Sequence, residues 1–136
     1  MLESFIKQLE KQLNIPLVTE EHGTKKKYFL TINDGSELSF EEEHSFIFIS
    51  SNISPFNEKE IKNVEDFYIY LSQANYLGQG TGNSVISIDP DEKFLTLSTL
   101  IAYEVNYKMF FDWVEEFVNY LSYWKKEVNN KIRLDK

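Results

Sequence analysis

Apolar residues recur at three- and four-residue steps at the start of the chain. Leu2, Phe5, Ile6, Leu9 and Leu13 share one helical face, and Lys7, Glu10, Lys11 and Asn14 take the other. Pro16 ends this helix, because Ile15 before it is biased away from helical geometry. From Lys27 to Ser51 the period drops to two. The run "KYFLTIN" leads into Asn33-Asp34-Gly35, and Asp-Gly between two alternating runs is a strong hairpin signal. "ELSFEE" sets Leu38 and Phe40 on one face and Glu37, Ser39 and Glu41 on the other. "SFIFISS" is apolar on both faces, Phe46 and Phe48 on one, Ile47 and Ile49 on the other. A central strand covered on both faces has this pattern, and so does a strand whose second face serves a partner. An antiparallel meander of three strands joins these runs most simply.

Ser54-Pro55 breaks the chain, and Asn57 with Glu60 three residues later resembles an N-cap with its capping-box partner. The predicted second helix carries Ile61, Val64, Phe67, Leu71 and Ala74 as one stripe, flanked by Tyr68, Ile69, Tyr70 and Tyr76. A helix apolar on more than one side must be covered on more than one side. The domain covers one face and a second subunit is expected on another. A monomer whose extra tyrosines lie flat on the surface is the alternative. Two strands follow, Ser84 to Asp89 and Phe94 to Leu100, around a turn started by Asp89-Pro90-Asp91. The last helix is predicted from about Asn106 to Val128, with Tyr107, Phe110, Val114, Phe117, Leu121, Trp124 and Val128 in a stripe that suits packing on a sheet. The order α-β-β-β-α-β-β-α describes an α+β fold with a twisted, mainly antiparallel sheet packed with three helices. A single domain over residues 1–136 is expected, with 130–136 as a frayed tail.

Composition narrows the function. The formal net charge of −8 disfavours nucleic acid and anionic membranes as partners. Lys25-Lys26-Lys27 and Lys125-Lys126 are the basic runs, and the first reads as a solvated turn. There is no Cys, so neither a disulfide framework nor thiolate chemistry is available. The start of the chain lacks the continuous apolar region of a signal peptide, and no apolar run is long enough to span a bilayer. A cytoplasmic protein is expected. Eleven Phe, eight Tyr and two Trp exceed what a core of this size uses, and some are expected on a contact surface.

Three of the five glycines, Gly78, Gly80 and Gly82, stand in "GQGTG". A phosphate loop needs a strand before the glycines and a helix after them, with amides aimed at the anion. Here the order is reversed, no Lys follows, and the cluster reads as a helix stop leading into a strand, with Gly78 left-handed. His22 and His44 are expected on the surface, and Glu41-Glu42-Glu43-His44 cannot converge on one ion because strand neighbours point to opposite faces. Asp89, Asp91 and Glu92 lack the loop length and glycine of a calcium hand. The acidic pairs, Glu20-Glu21 and Glu115-Glu116 among them, sit in polar runs without desolvation. No catalytic residue, metal site or cofactor is assigned, and an enzyme is not expected.

The stretch from Leu71 to Trp124 resembles the class I type III secretion chaperones, the Tir chaperone (CesT-like) family. That family pattern is a helix ending in "ALxANLLG", a Gly-Thr-Gly loop, a strand ending in Asp-Pro and a Leu-rich strand. Ala74, Asn75, Leu77, Gly78, Gly80, Thr81, Gly82, Asp89, Pro90, Leu95 and Leu97 stand at matching positions, with Trp124 late in the final helix. "LESFIKQLEKQLNIPLV" resembles the family's first helix, "LLxxLxxxLGLPxL", with Asn14 where Gly is frequent. Asn83-Ser84 also departs from the pattern, and Lys26 to Ser51 carries no sharp motif. The resemblance implies a homodimer in the cytoplasm of a Gram-negative bacterium. It would bind an extended, non-globular N-terminal segment of one or more secreted effectors through apolar grooves and a sheet edge. No cofactor is needed, and a separate export ATPase releases the cargo.

Under that reading, effector contact is expected at Phe5, Ile6, Leu9, Tyr28, Leu30, Phe40, Phe46 and Phe48, with ordinary core as the alternative for the same positions. Dimer contact is expected at Phe67, Tyr68, Tyr70, Leu71 and Ala74. Two other functions compete: an adaptor or regulatory module that binds a folded partner, and a small-molecule-binding protein or enzyme.

Overall fold

A computed structural model describes residues 1–44, 46–89, 91, 93–102 and 104–134. The elements are α1 (Leu2–Leu13), β1 (Val18–His22), β2 (Lys25–Thr31), β3 (Glu37–Glu43), β4 (Phe46–Pro55), α2 (Val64–Asn75), β5 (Ser84–Asp89), β6 (Phe94–Ala102) and α3 (Tyr107–Leu134). The fold is α+β, with six strands in the order β1-β2-β3-β4-β6-β5 in an antiparallel sheet. β1 and β5 are the edges. The chain divides into two compact units, one of Met1–Ser51 with Thr99–Glu116, the other of Asn52–Ser98 with the last helix from Phe117 onward.

In the first unit, α1 buries Leu2, Phe5, Ile6 and Leu9. Phe5 stacks on Phe110 of α3 at 4.9 Å, and Phe110 meets Phe40 of β3 at 6.2 Å. Asn14 closes α1 at φ 55, with its N–H donating to the Glu10 carbonyl. Asn tolerates this left-handed position, which explains how it stands where the resemblance expects Gly. The β2–β3 hairpin turns at Gly35 (φ 86), where Asp34 Oδ1 accepts from the Ser36 N–H at 2.8 Å. Its strands pair from Thr31 with Glu37 to Lys27 with Glu41.

Strand β1 is absent from the sequence reading, which counted three strands before α2 rather than four. All five of its residues are exposed, so no apolar alternation marks it. Backbone pairing with β2 holds it, and its acids face the lysine run: Glu20 lies opposite Lys27 and Glu21 opposite Lys26. The lysines are thus one side of a charged ladder.

In the second unit, Phe56 stacks on Phe67 at 5.7 Å and Tyr70 meets the edge of Trp124 at 5.8 Å. The start of α2 is later than predicted. Asn57 does accept from a backbone N–H, that of Lys59, but closes only one 3-10 turn at Glu58–Glu60. Ile61 is then extended, and Asn63 is the true cap, accepting from the Asp66 N–H at 3.1 Å. α2 ends at Asn75, and Leu77 (φ 51) and Gly78 (φ 71) turn the chain. α3 continues beyond Val128 to Leu134. Ser45, Pro90, Glu92, Tyr103 and residues 135–136 lie outside the described residues, and with them part of the predicted Asp89-Pro90-Asp91 turn and the tail's end. Among the described residues, no helix is long and apolar enough to cross a membrane.

Candidate protein-interaction site

Strand alternation divides the side chains of the first unit into two sets. Tyr28, Leu30, Leu38, Phe40, Ile47, Ile49 and Ile101 point inward and are buried. Thr99 also points inward and accepts a hydrogen bond from Trp113 Nε1 at 2.9 Å. The opposite set on β3, β4 and β6 is Ser39, Glu41, Glu43, Phe46, Phe48, Ser50 and Leu100. Phe46 is 47% and Leu100 57% exposed, and Phe48 is half-buried. Together with Glu41, Glu43 and His44 they line an open groove of about 380 Å³. Its floor is apolar and its lip carries two carboxylates.

The polar groups around it are differently engaged. Lys25 Nζ lies 3.1 Å from Glu43 Oε1, and this contact holds the Glu43 carboxyl below the usual carboxylate range. Lys27, opposite Glu41 across the strands, places its ammonium 5.6 Å from the centre of the Phe29 ring. No ion pair binds Glu41 among the described residues. Deeper along the same face, the Ser39 and Ser50 hydroxyls bond each other at 2.8 Å.

The eight residues expected to contact an effector separate into two groups. Phe5, Ile6, Leu9, Tyr28, Leu30 and Phe40 are buried in the first unit, none more than 7% exposed. Burial also raises the Tyr28 phenol above its ordinary value. Phe46 and Phe48 lie in the groove. The sequence marked "SFIFISS" as apolar on both faces without separating them, and it is the Ile47 and Ile49 face that is buried. Glu41 and Glu43 were weighed in the sequence only as outward acids and ion ligands, and Leu100 only as the end of a strand. Leu100 carried a signal: it falls out of phase with Leu95, Leu97 and Ile101.

The five residues expected at a dimer contact divide similarly. Phe67, Leu71 and Ala74 are buried, whereas Tyr68 and Tyr70 are half-buried. Tyr68 donates to the Glu58 carboxylate, which raises its phenol. Tyr70 is raised by burial, and Lys131 Nζ sits 5.0 Å from its ring centre. The exposed large apolar residues of this unit are instead Ile69, Tyr76, Leu77, Val85 and Tyr123.

Among the described residues, no group of three or more His, Cys, Asp or Glu is placed to hold a metal ion. The glycine loop binds itself: Gly80 N–H donates to Ala74 O at 2.9 Å, and Gly82 N–H to Gly78 O at 2.9 Å. Trp124 Nε1 donates to Gly80 O at 2.7 Å. The loop is therefore a corner clamped by the last helix.

The fold has close counterparts. A chain in the crystal structure of the ExsC-ExsE complex superposes with a TM-score of 0.72 at 8% identity, covering 92% of this chain and 91% of that one. A chain in the structure of the HopA1-SchA chaperone-effector complex gives 0.68 at 10% identity, covering 92% and 93%. At such identities the likeness is one of fold. No curated protein matches the sequence. The Tir chaperone protein (CesT) family model matches residues 4–125, the glycine loop and Trp124 included, and the chain belongs to that family.

Proposed function

We propose that this protein is a non-enzymatic type III secretion chaperone that binds the extended N-terminal segment of one or more effectors and keeps them soluble and competent for export. The observation that carries this reading is the apolar groove on β4 and β6, open in a chain of this family. An unfolded segment exposes apolar side chains that otherwise aggregate. Burial stabilises the complex by about 25 cal/mol per Å² of apolar surface. Ordering the segment costs several kcal/mol, so the contact must extend well beyond one groove. The edge strand β1, with all side chains exposed, is a second element able to receive an extended chain through backbone hydrogen bonds. The reading includes one chaperone domain over residues 1–136, a cytoplasmic location in a Gram-negative bacterium, self-association as a homodimer, and transfer of cargo to an export ATPase. The shared fold with a chain of a chaperone-effector complex supports it.

Co-expression tests it. A disordered effector N-terminus that is insoluble alone should become soluble and co-purify with this chain, and Phe48→Asp should release it. Capture of folded partners only would replace this reading with that of an adaptor.

A further inference from the structure

The groove combines an apolar floor with carboxylates of unequal availability. Phe46, Phe48 and Leu100 offer the apolar contact, and Glu41 and Glu43 stand at the lip. Glu43 is occupied by Lys25 at 3.1 Å. Glu41 is not, because Lys27 across the strand lies against the Phe29 ring. Resting on the chaperone reading, we propose that this groove selects a cationic-apolar cargo segment, an aromatic or branched aliphatic anchor flanked by Lys or Arg, and that Lys25 is a built-in competitor for the cargo's cation at Glu43.

The reasoning is one of charge and spacing. An extended segment alternates its side chains about a strand axis. An anchor set down on Phe46 and Phe48 therefore returns the residues two positions away to the same face, where Glu43 and Glu41 stand across from those rings on β3. A cation there meets Glu41 directly. At Glu43 it must displace Lys25, which weakens the gain at that position. A carboxylate in the same place meets two like charges and is rejected. Exposed pairs of this kind are individually modest, so the preference comes from their sum and falls with salt.

The test uses the full chain and three fluorescent disordered peptides with the same Leu-Phe anchor, flanked by Lys, Ser or Glu. Binding is read by anisotropy at low and high salt. The Lys peptide should bind about ten-fold more tightly than the Ser peptide at low salt, the Glu peptide most weakly, and the gap should close at high salt. Glu41→Gln should remove about two- to five-fold of the Lys preference, read as the ratio of Lys-peptide to Ser-peptide affinity. Lys25→Gln should tighten the Lys peptide by a similar factor. Lys26→Gln is the control: it makes the same charge change, but Lys26 faces Glu21 rather than the groove, at 3.8 Å. Equal binding of the three peptides would overturn the inference and leave the chaperone reading intact. Equal effects of Lys25→Gln and Lys26→Gln would overturn the competitor role. If no peptide binds, the groove is not a cargo site, and the inference fails whatever the co-expression result.

Discussion

Gly80 illustrates what a single position must satisfy. Its N–H bonds Ala74 O and its carbonyl receives Trp124 Nε1. A methyl group added there would lie 3.1 Å from Trp124 Cζ2 and 3.2 Å from the Ala74 backbone. The constraint is close approach, and the backbone neighbour cannot swing away. Gly78 differs: its φ of 71 demands flexibility, but open space surrounds it. Gly80→Ala is expected to destabilise the protein by about 1–3 kcal/mol, as overpacking does. Gly78→Ala costs about 1–2 kcal/mol, for the left-handed backbone alone. Urea denaturation followed by tryptophan fluorescence measures both. Only Gly80→Ala should also shift the native emission, because only it displaces the indole. A native spectrum and stability unchanged by Gly80→Ala would contradict this account of the loop. Local order sufficed to read the glycines as a corner rather than a phosphate site. The reason for the middle glycine was not legible, because the indole that fills its space stands 44 residues away.

At the scale of elements, the end of α2 is tied to β5 by one side chain. Asn75 donates from Nδ2 to Ile86 O and accepts at Oδ1 from Ile86 N–H, both at 2.8 Å. The amide thus serves β5 on its unpaired side as a neighbouring strand would. Asn75→Ala leaves both backbone groups without that partner and should cost about 1–3 kcal/mol. Asn75→Asp should cost more at neutral pH, since a carboxylate faces the Ile86 carbonyl. Its folded-state pKa would be raised above the unfolded value of about 3.9, so its deficit relative to wild type should shrink as pH falls through that raised pKa and be smallest by about pH 4, where the neutral acid again donates. Thermal denaturation of both variants at neutral and acid pH decides this; an Asp deficit independent of pH would count against the pairing. Elements with apolar periodicity, α1, α3 and β2 through β6, were legible because their burial is written in the spacing. β1 was not, since it buries nothing and is held by backbone bonds and facing charges. The α2 boundary was misplaced because Asn57 and Asn63 both cap, and only the extended Ile61 between them shows which one starts the helix.

For the whole molecule, the proposed self-association needs a surface, and the second unit offers a candidate. Ile69 is exposed on α2, Tyr76 and Leu77 on the turn after it, and Val85 on the edge strand β5. Leu77 is the extreme case. It is 85% exposed and sits at φ 51, a conformation unfavourable for a branched side chain, so a monomer gains nothing visible from a leucine there. A second copy would bury it. The exposed Ile69 lies on the helix that the sequence proposed for self-contact, but the periodicity of α2 marks its inward stripe, to which Phe67, Leu71 and Ala74 belong. The outward residues carry no period of their own. Light scattering at micromolar concentration should therefore give twice the chain mass. Leu77→Gly makes a sharp probe, since glycine accepts this backbone and only the side chain is lost. In a two-fold interface the loss is counted in both copies, so dissociation should rise by about 100-fold or more while the circular dichroism of the protomer stays native. Leu100→Asp, in the groove of the first unit, should leave the dimer intact. A wild-type monomer at every concentration, or a Leu77→Gly dimer as tight as wild type, would place the self-contact elsewhere or remove it.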